Sequence, residues 1–282
     1  MTPATVRVPI RKVDGQFMRL QEDILAVEEP LEIRVGSKSL SVTMRTPGHD
    51  FELAAGFLFA EDIISSASQI RWITSPRPNI VEVELSTHTV IKAPTSQRGF
   101  MMTSACGLCG KVSLESLAAN RCPVLPLNGL RIDAGVIHQL PHQLRQRQDI
   151  FESTGGLHAA ALFNPQGELE SLREDVSRHN AVDKLVGHAL LSFRTPLRES
   201  VMLVSGRASF ELVQKASMAG VALLAAVGAP SSLAVASRPL WDDADRVPPQ
   251  RELQRVQRNR LHRGIGETAM KIRIQETCCV FD

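Results

Sequence analysis

Apolar and polar positions along the first half of the chain mark strands and turns. Residues 31–35 and 39–45 flank Gly36-Ser37 and read as a hairpin. Pro47-Gly48 breaks the second strand, and Asp50 is placed to cap a helix over residues 51–58. Residues 79–85 alternate apolar and polar, as a half-buried strand does. A polar stretch with proline and glycine, residues 94–99, leads into Ser104-Ala105-Cys106-Gly107-Leu108-Cys109-Gly110-Lys111. The glycines and serines around its two cysteines suit a mobile loop better than a core element.

The period changes in the second half. Residues 157–163 form a compact apolar run, and Asn164-Pro165-Gln166-Gly167 is a strong turn signal. Residues 180–191 have helical spacing. Residues 201–204 read as a short buried strand followed by a turn, Ser205-Gly206-Arg207. Ser209 can then cap a helix running to about Ala219, with Gly220 placed to stop it. Residues 222–227 form another apolar strand, followed by Gly228-Ala229-Pro230-Ser231-Ser232 and a helix start. Strand, small-residue turn and helix, repeated twice, is an α/β layer pattern.

Composition narrows the class. A chain of 282 residues, 43% hydrophobic and 22% charged, has the make-up of a soluble globular protein of one or two domains. The longest apolar stretch, residues 221–227, is far shorter than the ~18 residues a membrane span needs. The first ten residues lack the apolar core of a signal peptide, so a cytoplasmic location is expected. The net charge of +2 makes no case for nucleic acid. That charge is unevenly placed. Residues 1–237 carry 23 basic and 23 acidic residues, whereas residues 238–282 carry nine basic and seven acidic ones.

The five cysteines are Cys106, Cys109, Cys122, Cys278 and Cys279, an odd and sparse set that does not suggest a disulfide framework. A close CxxC pair such as Cys106 and Cys109 can hold half a zinc site, cycle between dithiol and disulfide, or carry a persulfide beside a second thiol. A structural zinc site usually draws four ligands, often from two such pairs, and no second CxxC exists here, so no metal is expected. The other two uses need a thiolate, which Lys111 would favour.

Three further segments carry candidate chemistry. Thr154-Gly155-Gly156-Leu157-His158 places two glycines beside a histidine, which permits close approach of a ligand. Residues 174–184 read as the opening of a helix dense in ionisable groups, with Asp175, His179 and Asp183 at four-residue spacing on one face. The turns at Ser205-Gly206-Arg207 and at Ser231-Ser232 both follow strands and precede helices. Crevices there suit phosphate oxygens, with Arg207 and Lys215 nearby, and favour a nucleotide-like ligand.

Together these segments resemble the FdhD family of formate dehydrogenase accessory sulfurtransferases. The likeness runs through Met44-Arg45-Thr46-Pro47-Gly48-His49-Asp50, Cys106-Gly107-Leu108-Cys109-Gly110-Lys111, Thr154-Gly155-Gly156-Leu157-His158-Ala159-Ala160 and residues 174–184. It ends with Ser205-Gly206-Arg207-Ala208-Ser209-Phe210-Glu211 and Ala229-Pro230-Ser231-Ser232-Leu233-Ala234-Val235, and covers roughly residues 28–237. It implies an α+β or α/β architecture: a β-rich N-terminal domain over 1–130 carrying the CxxC loop, then a cytidine-deaminase-like three-layer α/β domain over 131–237. It also implies a sulfurtransferase that takes persulfide sulfur from a cysteine desulfurase. The sulfur passes to the molybdenum (or tungsten) bis-molybdopterin guanine dinucleotide of formate dehydrogenase, bound as a substrate with no permanent cofactor. Cys106 matches the persulfide-carrying cysteine and Cys109 its companion. Ser205, Gly206, Arg207, Ser231, Ser232, His158 and His179 are the expected cofactor-binding residues, and a homodimer is the expected assembly. The alternatives are a thiol-disulfide oxidoreductase using the CxxC pair and a cofactor-binding protein without turnover.

Two departures stand out. Ser177 replaces a glycine usual in its motif. After Val235 the family pattern of a helix and further strands gives way to Ser237-Arg238-Pro239 and an Arg- and Gln-rich stretch, where the charge also shifts. Residues 238–282 therefore read as an atypical tail, consistent with a frameshifted or otherwise replaced carboxy-terminus. Such a tail is expected to pack poorly and to leave the last sheet without its final strand.

Overall fold

The computed structural model describes residues 2–86, 130, 132–236, 272–275 and 278–281, arranged as a mixed α/β fold with three sheets. The chain opens with a two-stranded antiparallel ribbon, β1 (Thr5–Asp14) and β2 (Phe17–Ala26), paired from Thr5↔Ala26 to Asp14↔Phe17. Sequence reading missed this ribbon. Both of its faces are largely exposed, so little burial selects an alternation, and Pro9 interrupts the pattern.

The expected hairpin is present as β3 (Glu29–Val35) and β4 (Lys38–Arg45). With β5 (Ile70–Arg77) and β6 (Ile80–Leu85) they form a four-stranded sheet in the order β4-β3-β6-β5. The alternation over 79–85 turns Val81 and Val83 into the core, beside Leu31 and Ile33. Between β4 and β5 lies α1 (Asp50–Ala60), apolar on all sides and buried over Leu53 to Ala60. Asp50 does not cap it. The cap position is His49, and the Asp50 carboxylate instead receives Arg45 Nε and Nη2 at 2.9 and 3.0 Å. Arg45 is 2% exposed and also reaches Asn79, so this motif residue joins β4 to the start of α1 and to the β5–β6 turn.

The second half contains α2 (Ala134–Gln146), α3 (Asp149–Thr154), β7 (His158–Phe163), β8 (Leu169–Asp175) and α4 (Arg178–Leu191). It continues with β9 (Val201–Arg207), α5 (Phe210–Met218), β10 (Leu223–Gly228) and α6 (Ser232–Ala236). The strands build a six-stranded sheet in the order β11-β12-β10-β9-β7-β8, with β11 (Ile272–Gln275) and β12 (Cys278–Phe281) supplied by the tail. The expectation that the tail leaves the sheet short of its last strand is therefore corrected. β12 pairs parallel to β10 from Leu224↔Cys278 to Ala226↔Val280, and β11 folds back antiparallel on it. At the very end of the chain, Cys278 to Phe281 pairs with β10, and Ile272 to Gln275 pairs in turn with Cys278 to Phe281, despite the polar stretch before them.

The layers share a core. The four-stranded sheet packs on α1, α1 crosses α4, and α4 with α5 covers one face of the large sheet. Ile137, Leu140 and Leu144 of α2 cover the other face against Phe163, Val201 and Leu203. The crossing of α1 and α4 is close because each helix offers a glycine. A Cβ on Gly56 would strike the Asp183 carbonyl, and one on Gly187 would strike the Glu52 carbonyl.

Glu52 sits at this crossing and accepts from Arg173 Nη2 at 2.8 Å, while His49 Nδ1 and His188 Nδ1 lie 3.2 and 3.1 Å from its oxygens. Burial alone would raise its pKa. The hydrogen bonds and charges of Arg173 and His49 outweigh burial and pull it from 4.5 to about 2. A depressed folded-state pKa contributes stability above the unfolded value and loses it as pH falls. Glu52 should thus contribute up to roughly 3 kcal/mol at neutral pH, fading between about pH 4.5 and 2. Glu52→Gln should therefore melt well below the wild type at pH 7, with the gap closing toward pH 2. Thermal melts across that range check it, and a gap that stays constant with pH would refute the assignment.

Candidate functional site

The site is built where β7 starts and β9 and β10 end. β7 runs antiparallel to β9, so its first residue, His158, lies beside the last residues of β9. A Cβ on Gly206 would stand 3.4 Å from His158 Nδ1 and 3.9 Å from Arg178 Cδ, so the glycine leaves room for both. The residues Ser205-Gly206-Arg207 belong to β9 itself, correcting their reading as a turn. Ser205 Oγ accepts from the Ala159 N–H at 2.8 Å and ties the two strands. Arg207 is exposed at the strand end, opposite Gly228 of β10. Ser231 donates its N–H to Ala208 O at 3.0 Å and accepts from the Ala234 N–H, while Ser232 is exposed.

Beside this edge opens a cleft of about 630 Å³, lined among others by Leu144, Gln148, Phe151, Gly156, His158 and Ser205. The Gly155-Gly156 pair closes α3 and turns the chain into β7. Gly155 has φ 66°, a left-handed conformation natural to glycine at a helix end. The Arg145 guanidinium stacks 4.2 Å from the centre of the Phe151 ring. Gln148 is 4% exposed, and its Nε2 has no hydrogen-bond partner among the described residues. The Glu174 carboxylate accepts from the N–H groups of Ile150 and Phe151 at 3.1 and 2.9 Å, which fixes α3 against β8.

Two histidines near the cleft sit in different electrostatic surroundings. Burial, and then the charges of Arg178 and His179, hold the His158 pKa below its usual 6.5, so the ring is neutral near pH 7 and can accept a proton or hydrogen bond. His179 is 6% exposed, with Nε2 3.8 Å from Glu211 Oε2. Burial works to raise the Glu211 pKa, but His179, its own backbone N–H and Ser209 outweigh it and pull it to about 2.

The structure separates the acidic residues read as one face. Asp175 ends β8, and α4 begins only at Arg178. Asp175 is fully buried and bonded to Lys184 Nζ at 2.7 Å, Ser177 N and Thr46 N. Lys184 also donates to Thr46 O, so this pair fastens the Thr46-Pro47-Gly48 loop to α4. Asp183 pairs instead with Lys215 at 2.6 Å, both buried. Lys215 is therefore a core cation and not a ligand for phosphate, because leaving Asp183 buried and unpaired would cost several kcal/mol, roughly 3–5. Cys106 and Cys109 lie outside the described residues. Among the described residues, no group of three or more His, Cys, Asp or Glu could hold a metal, and no helix is long and apolar enough to cross a membrane.

Sequence reading missed Arg145, Gln148, Phe151, Arg178 and Glu211. Arg178 and Glu211 stand inside motifs already noted, next to His179 and after Ser209. The other three lie on α2, on α3 and between them, upstream of the glycine pair, and local pattern marks them only as amphipathic surface.

Residues 26–237 match the model of the FdhD/NarQ family. The chain is 49% identical over 245 residues to the sulfur carrier protein FdhD of Streptomyces avermitilis, covering 83% of this chain and 87% of that one. It is 50% identical over 231 residues to that of Nocardia farcinica (78% and 80% covered), and 41% identical over 229 residues to that of Sulfolobus acidocaldarius (81% and 87%). The fold matches the crystal structure of a formate dehydrogenase accessory protein from Desulfotalea psychrophila, with TM-score 0.67 and 23% identity over 83% of this chain and 88% of that one. A family match over most of the chain, relatives near half-identical and a shared fold lead to one conclusion: this chain belongs to the FdhD/NarQ family.

Proposed function

We propose that this chain is a cytoplasmic, homodimeric sulfur carrier that acts as a sulfurtransferase. Cys106 accepts persulfide sulfur from a cysteine desulfurase. The sulfur then passes to a molybdenum (or tungsten) bis-molybdopterin guanine dinucleotide destined for formate dehydrogenase. Family membership supports the sulfur-carrying role. The single observation that carries the ligand reading is the cleft at the end of β9. An aromatic platform with a stacked guanidinium (Phe151 and Arg145) and a buried amide donor without a partner among the described residues (Gln148) suit a planar base. Arg207, Arg178 and the exposed turn at Ser231-Ser232 lie at the same sheet edge and suit the phosphates. The neutral His158 faces this ligand and can take or return a proton during transfer.

Calorimetry with GDP tests the placement. The double variant Arg207→Ala, Ser231→Ala should bind GDP at least ~10-fold more weakly than the wild type, the scale of one lost charge-assisted hydrogen bond. Unchanged affinity would move the phosphates elsewhere.

A further inference from the structure

Among the described residues, the ribbon of β1 and β2 is anchored at one end only. Its base is closed by Val27 N donating to Ala4 O at 2.8 Å, and β2 rests on α3, with Ala26 Cβ 3.9 Å from where a Cβ on the cleft glycine Gly156 would stand. From there it projects as an arm about 33 Å long, at ~3.3 Å per residue. No third strand joins it among the described residues. Its tip exposes large apolar side chains: Phe17 is 82% exposed and Leu20 75%, with Val13 and Met18 also in the open. A free two-stranded ribbon is marginal in water, and clustered exposed apolar groups mark an interaction surface.

Charge indicates what covers it. The distal half carries Arg11, Lys12 and Arg19 against one acid, Asp14, and sets Lys12 directly opposite Arg19 across the strands. Like charges so placed repel, and an incoming acid would relieve them. The base carries the reverse set, Glu22 and Asp23 against Arg7, which lies 3.7 Å from Glu22 in an exposed pair, with Glu28 just beyond the strand. A ribbon with a cationic tip and an acidic base is complementary to itself when two copies lie antiparallel about a twofold axis, each tip on the other's base. We infer that the β1–β2 ribbon is a dimerisation arm that embraces the ribbon of a second copy of this chain. The pairing buries Val13, Met18 and Leu20, which share one face of the ribbon, and sets Arg11 of that face against the other copy's Glu22. Because each arm springs from the rim of the cleft, the pairing also brings the two clefts into one assembly. This rests on the homodimer proposed above and is independent of the sulfur chemistry.

Sedimentation velocity on the full chain at micromolar concentration tests it. The wild type should be a dimer, and the triple variant Phe17→Ser, Met18→Ser, Leu20→Ser should be a monomer with unchanged circular dichroism and GDP binding. Two charge variants make a sharper test. Glu22→Lys, Asp23→Lys makes the arm predominantly basic, and Arg11→Glu, Arg19→Glu makes it predominantly acidic. Each alone should be monomeric, and an equimolar mixture should form a heterodimer. A dimer that survives the triple variant, or charge variants that fail to pair on mixing, overturns the arm while leaving the homodimer standing. A monomeric wild type overturns both.

Discussion

Gly187→Ala is expected to cost the fold more than about 4 kcal/mol, placing it among the exceptional single substitutions. The new methyl group would fall on the Glu52 carbonyl of α1, and backbone on both sides prevents the relief that a flexible side chain would give. Alanine's better helix propensity returns only about 1 kcal/mol. The reciprocal Gly56→Ala, which meets the Asp183 carbonyl, should be equally damaging. The crossing lies in the core shared by the four-stranded sheet and the large sheet, so separating α1 from α4 opens both. It would also stretch the Asp175–Lys184 attachment of the Thr46 loop. Gly156→Ala serves as the control. Its nearest neighbours would be 3.8 and 3.9 Å away, and the urea midpoint should barely move. Urea denaturation of the three variants is the measurement. A Gly187→Ala protein that unfolds with the wild type would mean the helices have room to part.

The second large effect is on sulfur loading. When the chain is incubated with a cysteine desulfurase and cysteine, intact-mass measurement should show one added sulfur, and digestion should place it on the Cys106 peptide. The chemistry is an exchange. The Cys106 thiolate attacks the terminal sulfur of the desulfurase persulfide, a new sulfur–sulfur bond forms, and the desulfurase thiolate leaves. No external oxidant is needed. In the sequence Lys111 follows the pair and would favour the attacking thiolate, and Gly107 and Gly110 would let a partner's sulfur come close. Cys106→Ala should abolish loading, whereas Cys109→Ala should keep it. The opposite pattern would exchange the two roles, and a wild type that never gains sulfur would sink the sulfur-carrier reading.

Local pattern by itself determined much of this protein. The hairpin of β3 and β4, the strand β6, the alternation of β9, α5 and β10, and the turn at Asn164-Pro165-Gln166-Gly167 are all written in period and turn chemistry. They are legible because each buries one face or is almost wholly interior, so the pattern of burial is already present in the order of residues. The motifs also identified the family and pointed to His158 and Arg207 at the sheet edge.

Tertiary structure alone decided which of the motif residues meet. Asp175, His179 and Asp183 look like one face in sequence. In the fold they find three separate partners, Lys184, Glu211 and Lys215, because a buried charge takes whichever opposite charge packing brings to it. Lys215 thereby passes from candidate ligand to core cation. The pairing of β12 with β10, the crossing of Gly56 on Gly187 and the cleft between Phe151, Gln148 and His158 join segments far apart in the chain. No local period encodes such contacts, since they depend on how layers stack. The β1–β2 ribbon is the complementary case. Its strands are set by cross-strand pairing, with no buried face to leave a signal in the sequence, and only the structure shows that its apolar tip is exposed.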